Sequence, residues 1–395
     1  MFEALKPQPA DKIIALIAAY AADPREGKID LGVGVYRDDS GTTPIMRAVR
    51  AAETANLQAE TTKTYNRLIG DAAYLAAVKP LAVGDTVDLA RVTASQAPGG
   101  TGALHCLFEL CKLARPGARY WISDPSWPNH EAILRHMGLP IAKYPYYDEA
   151  TGAVDFDAMM AALDDVQEGD IVILHGCCHN PTGANLDLTQ WAALTTHAAL
   201  RGWVPLIDLA YLGLGDGLEE DAAGYRSMVS RLPESMIGLS FSKNFGLYRD
   251  RAGAAIVVAE TPEDAGMAEG ALAAINRLNY SFAPHHSAAI VATVLGDADL
   301  TADWQAELKD MRERVTGLRV ALAEALKRET NSDRFNFIAE HRGMFSRLGL
   351  TPAEVETLRA EHGIYMVGDS RMNIAGFHPD DIDRFAKAVA KTIRP

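Results

Sequence analysis

Lys243 follows the run Met236-Ile237-Gly238-Leu239-Ser240-Phe241-Ser242, which reads as an apolar strand ending in two small hydroxyl residues. An amine delivered at a buried strand end is desolvated. Desolvation lowers a lysine pKa, and only the neutral amine attacks a carbonyl, so this is the setting an imine-forming lysine requires. Ser240, Ser242 and Arg251 add two hydroxyls and a guanidinium nearby in sequence, a donor set suited to a phosphate dianion. Imine chemistry beside a phosphate site points to pyridoxal phosphate.

That cofactor sets further requirements. A protonated pyridine nitrogen needs a buried carboxylate, and Asp208 stands at the end of another apolar run, 203–208. The ring oxygen needs donors, for which Tyr211 and Asn180 have the right types at neighbouring strand ends. Trp127 can stack on the ring face. The turn 98–102, Pro-Gly-Gly-Thr-Gly, precedes a helical stretch at 103–113, so Gly100 and Thr101 would present N–H groups and a hydroxyl to an anion at a helix N-terminus.

The elements that must position these groups alternate. Short apolar runs at 92–97, 119–123, 170–175, 203–208 and 236–241 read as strands, each ending in a polar loop and several followed by a helical pattern, as in a parallel α/β layer. Ligands gather at the carboxyl ends of such strands. A further strand is expected at 254–258 with its direction open, a strand at 29–36, a strand region at 335–348 and short strands at 363–367 and 371–374. Helices are expected at 11–21 with Asp11 as N-cap, at 45–57, 71–78, 188–199, 263–278 and 287–295, and at 380–392. Thr351 with Glu354 forms a capping box. A long helical pattern at 300–329 suggests a domain junction near residue 310, dividing the chain into an N-terminal segment at 1–43, a large cofactor-binding domain at 44–310 and a small domain at 311–395 to which both termini contribute.

Composition narrows the function classes. The 395 residues are 48% apolar and 23% charged, ordinary for a globular enzyme, and the formal charge of -14 disfavours nucleic acid and anionic membrane as partners. No basic and apolar leader pattern opens the chain and no apolar run is long enough to span a bilayer, which sets a cytoplasmic expectation. In His175-Gly176-Cys177-Cys178-His179, adjacent cysteines on an extended segment would point to opposite faces, so reduced structural thiols are expected and no metal. Gly32-Val33-Gly34 lacks the third glycine and the helix of a dinucleotide fingerprint.

The strings Ser-Lys-Asn-Phe-Gly-Leu-Tyr (242–248), His-Asn-Pro-Thr-Gly (179–183), Asp-Leu-Ala-Tyr (208–211), Gly-Gly-Thr-Gly-Ala-Leu (99–104), Pro-Ser-Trp-Pro-Asn-His (125–130) and Arg-Met-Asn-Ile-Ala-Gly (371–376) resemble class I aminotransferases of the aspartate and aromatic amino acid group, most of all the bacterial aromatic ones. The resemblance spans essentially the whole chain. It implies a fold-type I α/β homodimer, its large domain built on a mostly parallel seven-stranded sheet between helices, with shared active sites. Lys243 would carry the cofactor imine, Asp208 would pair with the ring nitrogen, and Tyr211 and Asn180 would bind the ring oxygen. Gly100, Thr101, Ser240 and Arg251 would bind phosphate, joined by Tyr65 from the partner subunit. Arg371 would grip the substrate α-carboxylate with Gly34 and Trp127 nearby, and Arg277 would reach across the interface to a dicarboxylate's distal group. Two departures from the family pattern stand out: Phe282, where aspartate-specific members usually carry asparagine, and Gly99, where many carry serine. Phe282 beside Arg277 implies that both aromatic and dicarboxylic amino acids are substrates, and the family mechanism implies ping-pong transamination with a 2-oxo acid such as 2-oxoglutarate. A strict aspartate aminotransferase, a decarboxylase or lyase on the same fold, and a catalytically silent cofactor-binding regulator are the alternatives.

Overall fold

The computed structural model describes residues 1–6 and 12–393. The expected N-cap Asp11 lies outside the described residues. Two compact units share the chain: one comprises 44–314 with 341–343, the other 1–43, 315–340 and 344–395. The long helix Ala298–Thr330 contributes to both, the change falling between Arg314 and Val315.

The larger unit is built on a seven-stranded sheet. Its strands in chain order are β1 (Val92–Pro98), β2 (Tyr120–Asp124), β3 (Ile141–Pro145), β4 (Ile171–His175), β5 (Val204–Leu209), β6 (Ser235–Ser240) and β7 (Ala252–Val258). They lie in the spatial order β1-β7-β6-β5-β4-β2-β3, and β7 runs antiparallel to both of its neighbours while the other pairings are parallel. Strands covered on both faces need no polar side, which explains why Ile171-Val172-Ile173-Leu174 and Ala254-Ala255-Ile256 read as continuous apolar runs. Helices Gly99–Ala114 and Pro262–Asn279 cover one face, burying Leu104, Leu107, Phe108, Leu272 and Ile275 against Ile173, Leu206 and Met236. Each such side chain contributes about 1.5–3 kcal/mol on burial.

Parallel register aligns the carboxyl ends that matter. His175 pairs with Asp208 across β4 and β5, and Asp208 with Gly238 across β5 and β6. Three residues deep on one edge, the chain leaves the sheet into polar loops.

In the smaller unit, Phe345–Arg347 pairs antiparallel with Arg371–Asn373, and Ile29–Asp30 pairs parallel with Ile364–Tyr365. Two expectations are corrected here. The strand expected over 29–36 is only two residues long, because Gly32-Val33-Gly34 leaves the ladder and is held instead by side chains of the Arg371 strand. Within 335–348, residues Phe337–Glu340 are helical and only Phe345–Arg347 is strand, the turn at Gly343 (φ +81°) separating them. The Thr351–Glu354 capping box forms, with the Thr351 side chain accepting from Glu354 N–H and the Glu354 carboxylate from Thr351 N–H.

The segment after β6 is pinned from below. Trp304, fully buried, donates from Nε1 to Asn244 O at 2.7 Å and stacks on Phe245 at 4.5 Å between centroids. Replacing Trp304 by Phe leaves that buried carbonyl without its donor, which costs about 1–3 kcal/mol. Urea unfolding of Trp304→Phe is expected to show a lower midpoint by that amount at unchanged m-value.

Candidate active site

Five connections at one edge of the large sheet converge on a cavity of about 190 Å³ lined by Gly100, Thr101, Trp127, Asn180, Asp208, Tyr211, Ser240, Lys243 and Arg251, with Leu104, His175, Ala210 and Ser242 completing it. Ten of the residues singled out in the sequence, Ser242 among them, therefore line one cavity. They divide into an anion end and an acid end.

At the anion end, the helix Gly99–Ala114 begins directly at the end of β1. The glycine-rich segment is thus the helix's first turn, where a separate turn was expected, and no side chain caps it. Its first N–H groups and Thr101 face the cavity together with Ser240 and Arg251, so the helix dipole and a guanidinium favour the same negative charge. Ser240 Oγ lies 3.2 Å from Ser242 Oγ, which accepts from Arg251 Nη1 at 3.2 Å. Neighbouring side chains crowd both glycines. A Cβ at Gly99 (φ +73°) would stand 2.2 Å from Arg251 Nη2, and one at Gly100 2.9 Å from Ser240 Cβ. Glycine at 99 is therefore what lets the guanidinium lie over the helix start.

At the acid end, Asp208 Oδ2 accepts from His130 Nε2 at 2.9 Å, and His130 Nδ1 meets Ser126 Oγ at 3.0 Å. Burial pushes the Asp208 carboxyl upward, but the hydrogen bond from His130 and the nearby basic side chains outweigh it and hold the acid below its ordinary value. Asn180 Nδ2 donates to Tyr211 Oη at 3.4 Å, and Lys243 Nζ sits 4.9 Å from the Tyr211 ring centroid. An ionised carboxylate opposite a cluster of hydroxyl, amide and amine donors, with a phosphate cup at the far side, is the donor set that a phosphorylated hydroxypyridine aldehyde demands.

His130 and His175 belong to this site and were not singled out in the sequence. Three imidazoles form a ladder, His130 to His175 at 5.2 Å and His175 to His179 at 4.2 Å between centroids, and Tyr146 stacks on His179 at 3.9 Å. Burial drives His175 and His179 well below the ordinary histidine value, so both are neutral at pH 7. The signal available was His130 three residues after Trp127, and a histidine closing β4 in register with Asp208.

The expectation that Cys177 and Cys178 diverge is overturned. Cys178 has φ +51°, which breaks the extended geometry and brings both sulfurs and the Asp221 carboxylate within 4.8 Å of one another. The Asp221 oxygens already accept from the N–H groups of Gly213, Gly215 and Asp216 at 2.8–2.9 Å. The hydrogen bond to Cys178, then burial, pushes the Cys177 thiol well up, so Cys177 holds its proton.

Tyr65 and Arg277 do not line the cavity. Tyr65 is 84% exposed and stacks on Phe282 at 4.7 Å, while the Arg277 guanidinium lies 5.9 Å from the Phe282 ring and donates to Ser281 Oγ at 2.5 Å. The end of the helix Pro262–Asn279, which carries Arg277, is anchored from beneath: Tyr280 Oη lies 2.6 Å from Asn276 Oδ1 and 3.1 Å from Gln96 O, and Asn276 Nδ2 donates to Ser95 Oγ. Gly34 and Arg371 belong to the smaller unit. There Arg371, 9% exposed, lies on its short strand with its guanidinium 4.6 Å above the Phe345 ring, and Gly34 packs against the rim of that ring.

The family model for aminotransferase class I and II matches residues 26–389. The chain belongs to this family. It is 52% identical over 385 residues to an aromatic-amino-acid aminotransferase of Paracoccus denitrificans, covering 98% of each chain, and 41% identical over the full length of both chains to an aspartate aminotransferase of Salmonella typhi. An aromatic-amino-acid aminotransferase from Burkholderia pseudomallei, solved covalently bound to pyridoxal phosphate, superposes with a TM-score of 0.97 at 42% identity, covering all of both chains. The aminotransferase described here thus has the α/β fold expected, with a seven-stranded, mostly parallel sheet between helices. Among the described residues no helix is long and apolar enough to cross a membrane.

The neutral histidines make stability depend on pH. Because His175 and His179 sit below the ordinary value of about 6.5 in the folded chain, the unfolded chain binds protons there that the folded one refuses. Stability is accordingly complete above that value and lost as the pH falls below it. Urea midpoints of His179→Gln, measured from pH 7.5 to 5, are expected to fall with about half the wild-type slope.

Proposed function

We infer that this aminotransferase moves amino groups between aromatic or dicarboxylic L-amino acids and 2-oxo acids with pyridoxal phosphate as cofactor. The observation that carries this reading is the single cavity with Lys243 and a low-pKa Asp208 at one end and an uncapped helix start with Ser240 and Arg251 at the other. The region 44–310 would hold the cofactor.

When bound, the cofactor supplies an aldehyde carbon that takes up the amino group and an electron-poor ring that stabilises charge on the substrate's α-carbon. The rest falls to the chain. Gly100, Thr101, Ser240 and Arg251 would hold the phosphate, Asp208, ionised, would keep a ring nitrogen protonated, and Asn180 and Tyr211 would donate to the ring oxygen. Trp127 would cover the ring face and exclude water. Lys243 Nζ would take the proton from the substrate Cα and deliver it to the carbon that entered as the cofactor's aldehyde, acting as base and then acid. Arg371, with Gly34 beside it, binds the α-carboxylate. In the second half-reaction a different oxo acid meets the same groups in reverse, so ping-pong kinetics are expected.

Dual specificity rests on the pairing of Arg277 with Phe282. A guanidinium favours a distal carboxylate, and an aromatic wall beside it favours a distal ring. The relatives named for aromatic amino acids and for aspartate both support it. Lys243→Ala is expected to lose the visible cofactor absorbance and all turnover together. With wild type and 2-oxoglutarate as acceptor, aspartate, tyrosine and phenylalanine should all be donors; no turnover of the aromatic pair at concentrations that saturate aspartate would leave a strict aspartate enzyme, and amine or CO2 release would leave a decarboxylase.

The chain works as a cytoplasmic homodimer in this reading. Tyr65 and Arg277 are exposed on their own chain and stand away from its cavity, the disposition expected of residues that serve a partner's site. Lys243→Ala and Arg277→Ala proteins, each poor with aspartate alone, should regain aspartate turnover when mixed under exchanging conditions, since one composite site per mixed dimer is intact. Mixtures that stay at the sum of the two would assign Arg277 to its own chain's site.

A further inference from the structure

An arginine that must grip a carboxylate faces a difficulty that its own strand does not solve. Its side chain has many rotamers, and each hydrogen bond to the ligand is weakened by the entropy lost in ordering it. The surroundings of Arg371 show how this chain handles it. Phe345–Arg347 and Arg371–Asn373 form a two-stranded antiparallel ladder in which Phe345 lies directly opposite Asn373. Opposed residues project to one face, as do residues two apart on a strand, so Phe345, Asn373 and Arg371 share a face, with Phe345 diagonal to Arg371. The guanidinium carbon lies 4.6 Å from the Phe345 ring centroid. The rim of the same ring abuts Gly34: a Cβ there would stand 2.8 Å from Phe345 Cζ. Asn373, buried, donates from Nδ2 to Val33 O and Val35 O, both at 2.7 Å, clasping the residues on either side of Gly34.

We propose that Phe345 is a positioning residue for substrate binding, a flat platform that orders the Arg371 guanidinium on one face and seats the Gly34 backbone at its rim, with Asn373 locking that backbone in place. The proposal rests on the reading of Arg371 as the α-carboxylate grip. Gly34 is then glycine because any side chain would push the ring, and with it the guanidinium, out of place. A planar cation over an aromatic face directs its N–H groups to the edge, in the plane a bidentate carboxylate takes, and Arg371 Nη2 donates to Gly32 O at 3.4 Å in that direction.

The test uses the holoenzyme and the carboxylate 3-phenylpropanoate, its affinity read from the shift of the cofactor absorbance, together with kcat and KM for phenylalanine and aspartate. Phe345→Leu removes the platform and is expected to weaken the probe by about tenfold, the range of one partly buried cation–π contact. It should raise KM for both donors by a similar factor, because the α-carboxylate is common to them, and leave kcat within about twofold. Phe345→His keeps a flat aromatic face with no atom added at the ring position that abuts Gly34, and as the neutral ring should recover most of the wild-type affinity. A variant that only loosened the smaller unit would lower kcat and would not be rescued selectively by His, and that result overturns the proposal. Wild-type probe affinity in Phe345→Leu, with Arg371→Ala having lost it, overturns the proposal and leaves Arg371 in its role. Wild-type affinity in Arg371→Ala overturns both.

Discussion

The organisation of the large unit follows from one costly placement, a carboxylate held charged inside the protein. Asp208 is almost completely buried, and an unpaired carboxylate there would take up a proton. His130 prevents it at 2.9 Å, and it does so from a helix, Pro128–His136, whose start is set by the loop after β2. Truncating either partner would strand the other in low dielectric, which is why such pairs are unforgiving of change. The ladder of His175 and His179 lies beside this pair, and those two rings stay neutral, so among the neighbours of Asp208 the hydrogen bond from His130 is what chiefly holds its carboxyl down.

Much of this was legible in the sequence because parallel strands write their pattern plainly. A strand covered on both faces is a short, unbroken apolar run, and its carboxyl end is where polar residues abruptly appear. Lys243, Asp208, Asn180 and Trp127 were found by that rule, and the structure gathers them with Ser240, Arg251 and the Gly100–Thr101 step around one cavity. The direction of β7 was not legible, since Ala-Gly-Ala-Ala-Ile-Val-Val carries no mark of polarity along the chain.

What escaped the sequence depends on contacts between distant residues. His130 gains its meaning only from Asp208, 78 positions away, and nothing local distinguishes it from a helix-start histidine. The convergence of Cys177 and Cys178 hinges on one left-handed backbone angle at a residue type that seldom adopts it. The brevity of the strand at Ile29–Asp30 is decided by Asn373, which takes the carbonyls of Val33 and Val35 that a longer ladder would have used. Alternating valines and glycines look like strand until that competitor is known.

Charge shows the same division between the global and the local. With a net charge of -14 the protein as a whole repels the anions that its proposed chemistry handles, phosphate and carboxylates alike. At physiological ionic strength that repulsion decays over about 8 Å, so it governs approach and not the bound state. Binding has to be generated within contact distance, and the structure supplies it in discrete places: an uncapped helix start beside Arg251, and a buried Arg371 whose guanidinium is backed by an aromatic face. Neither place depends on a second cation. Each instead fixes one guanidinium by removing bulk next to it, at Gly99 where a Cβ would strike Arg251 and at Gly34 where a Cβ would strike the ring under Arg371. A glycine thus leaves room beside each arginine, which a reading of glycine as mere flexibility would miss.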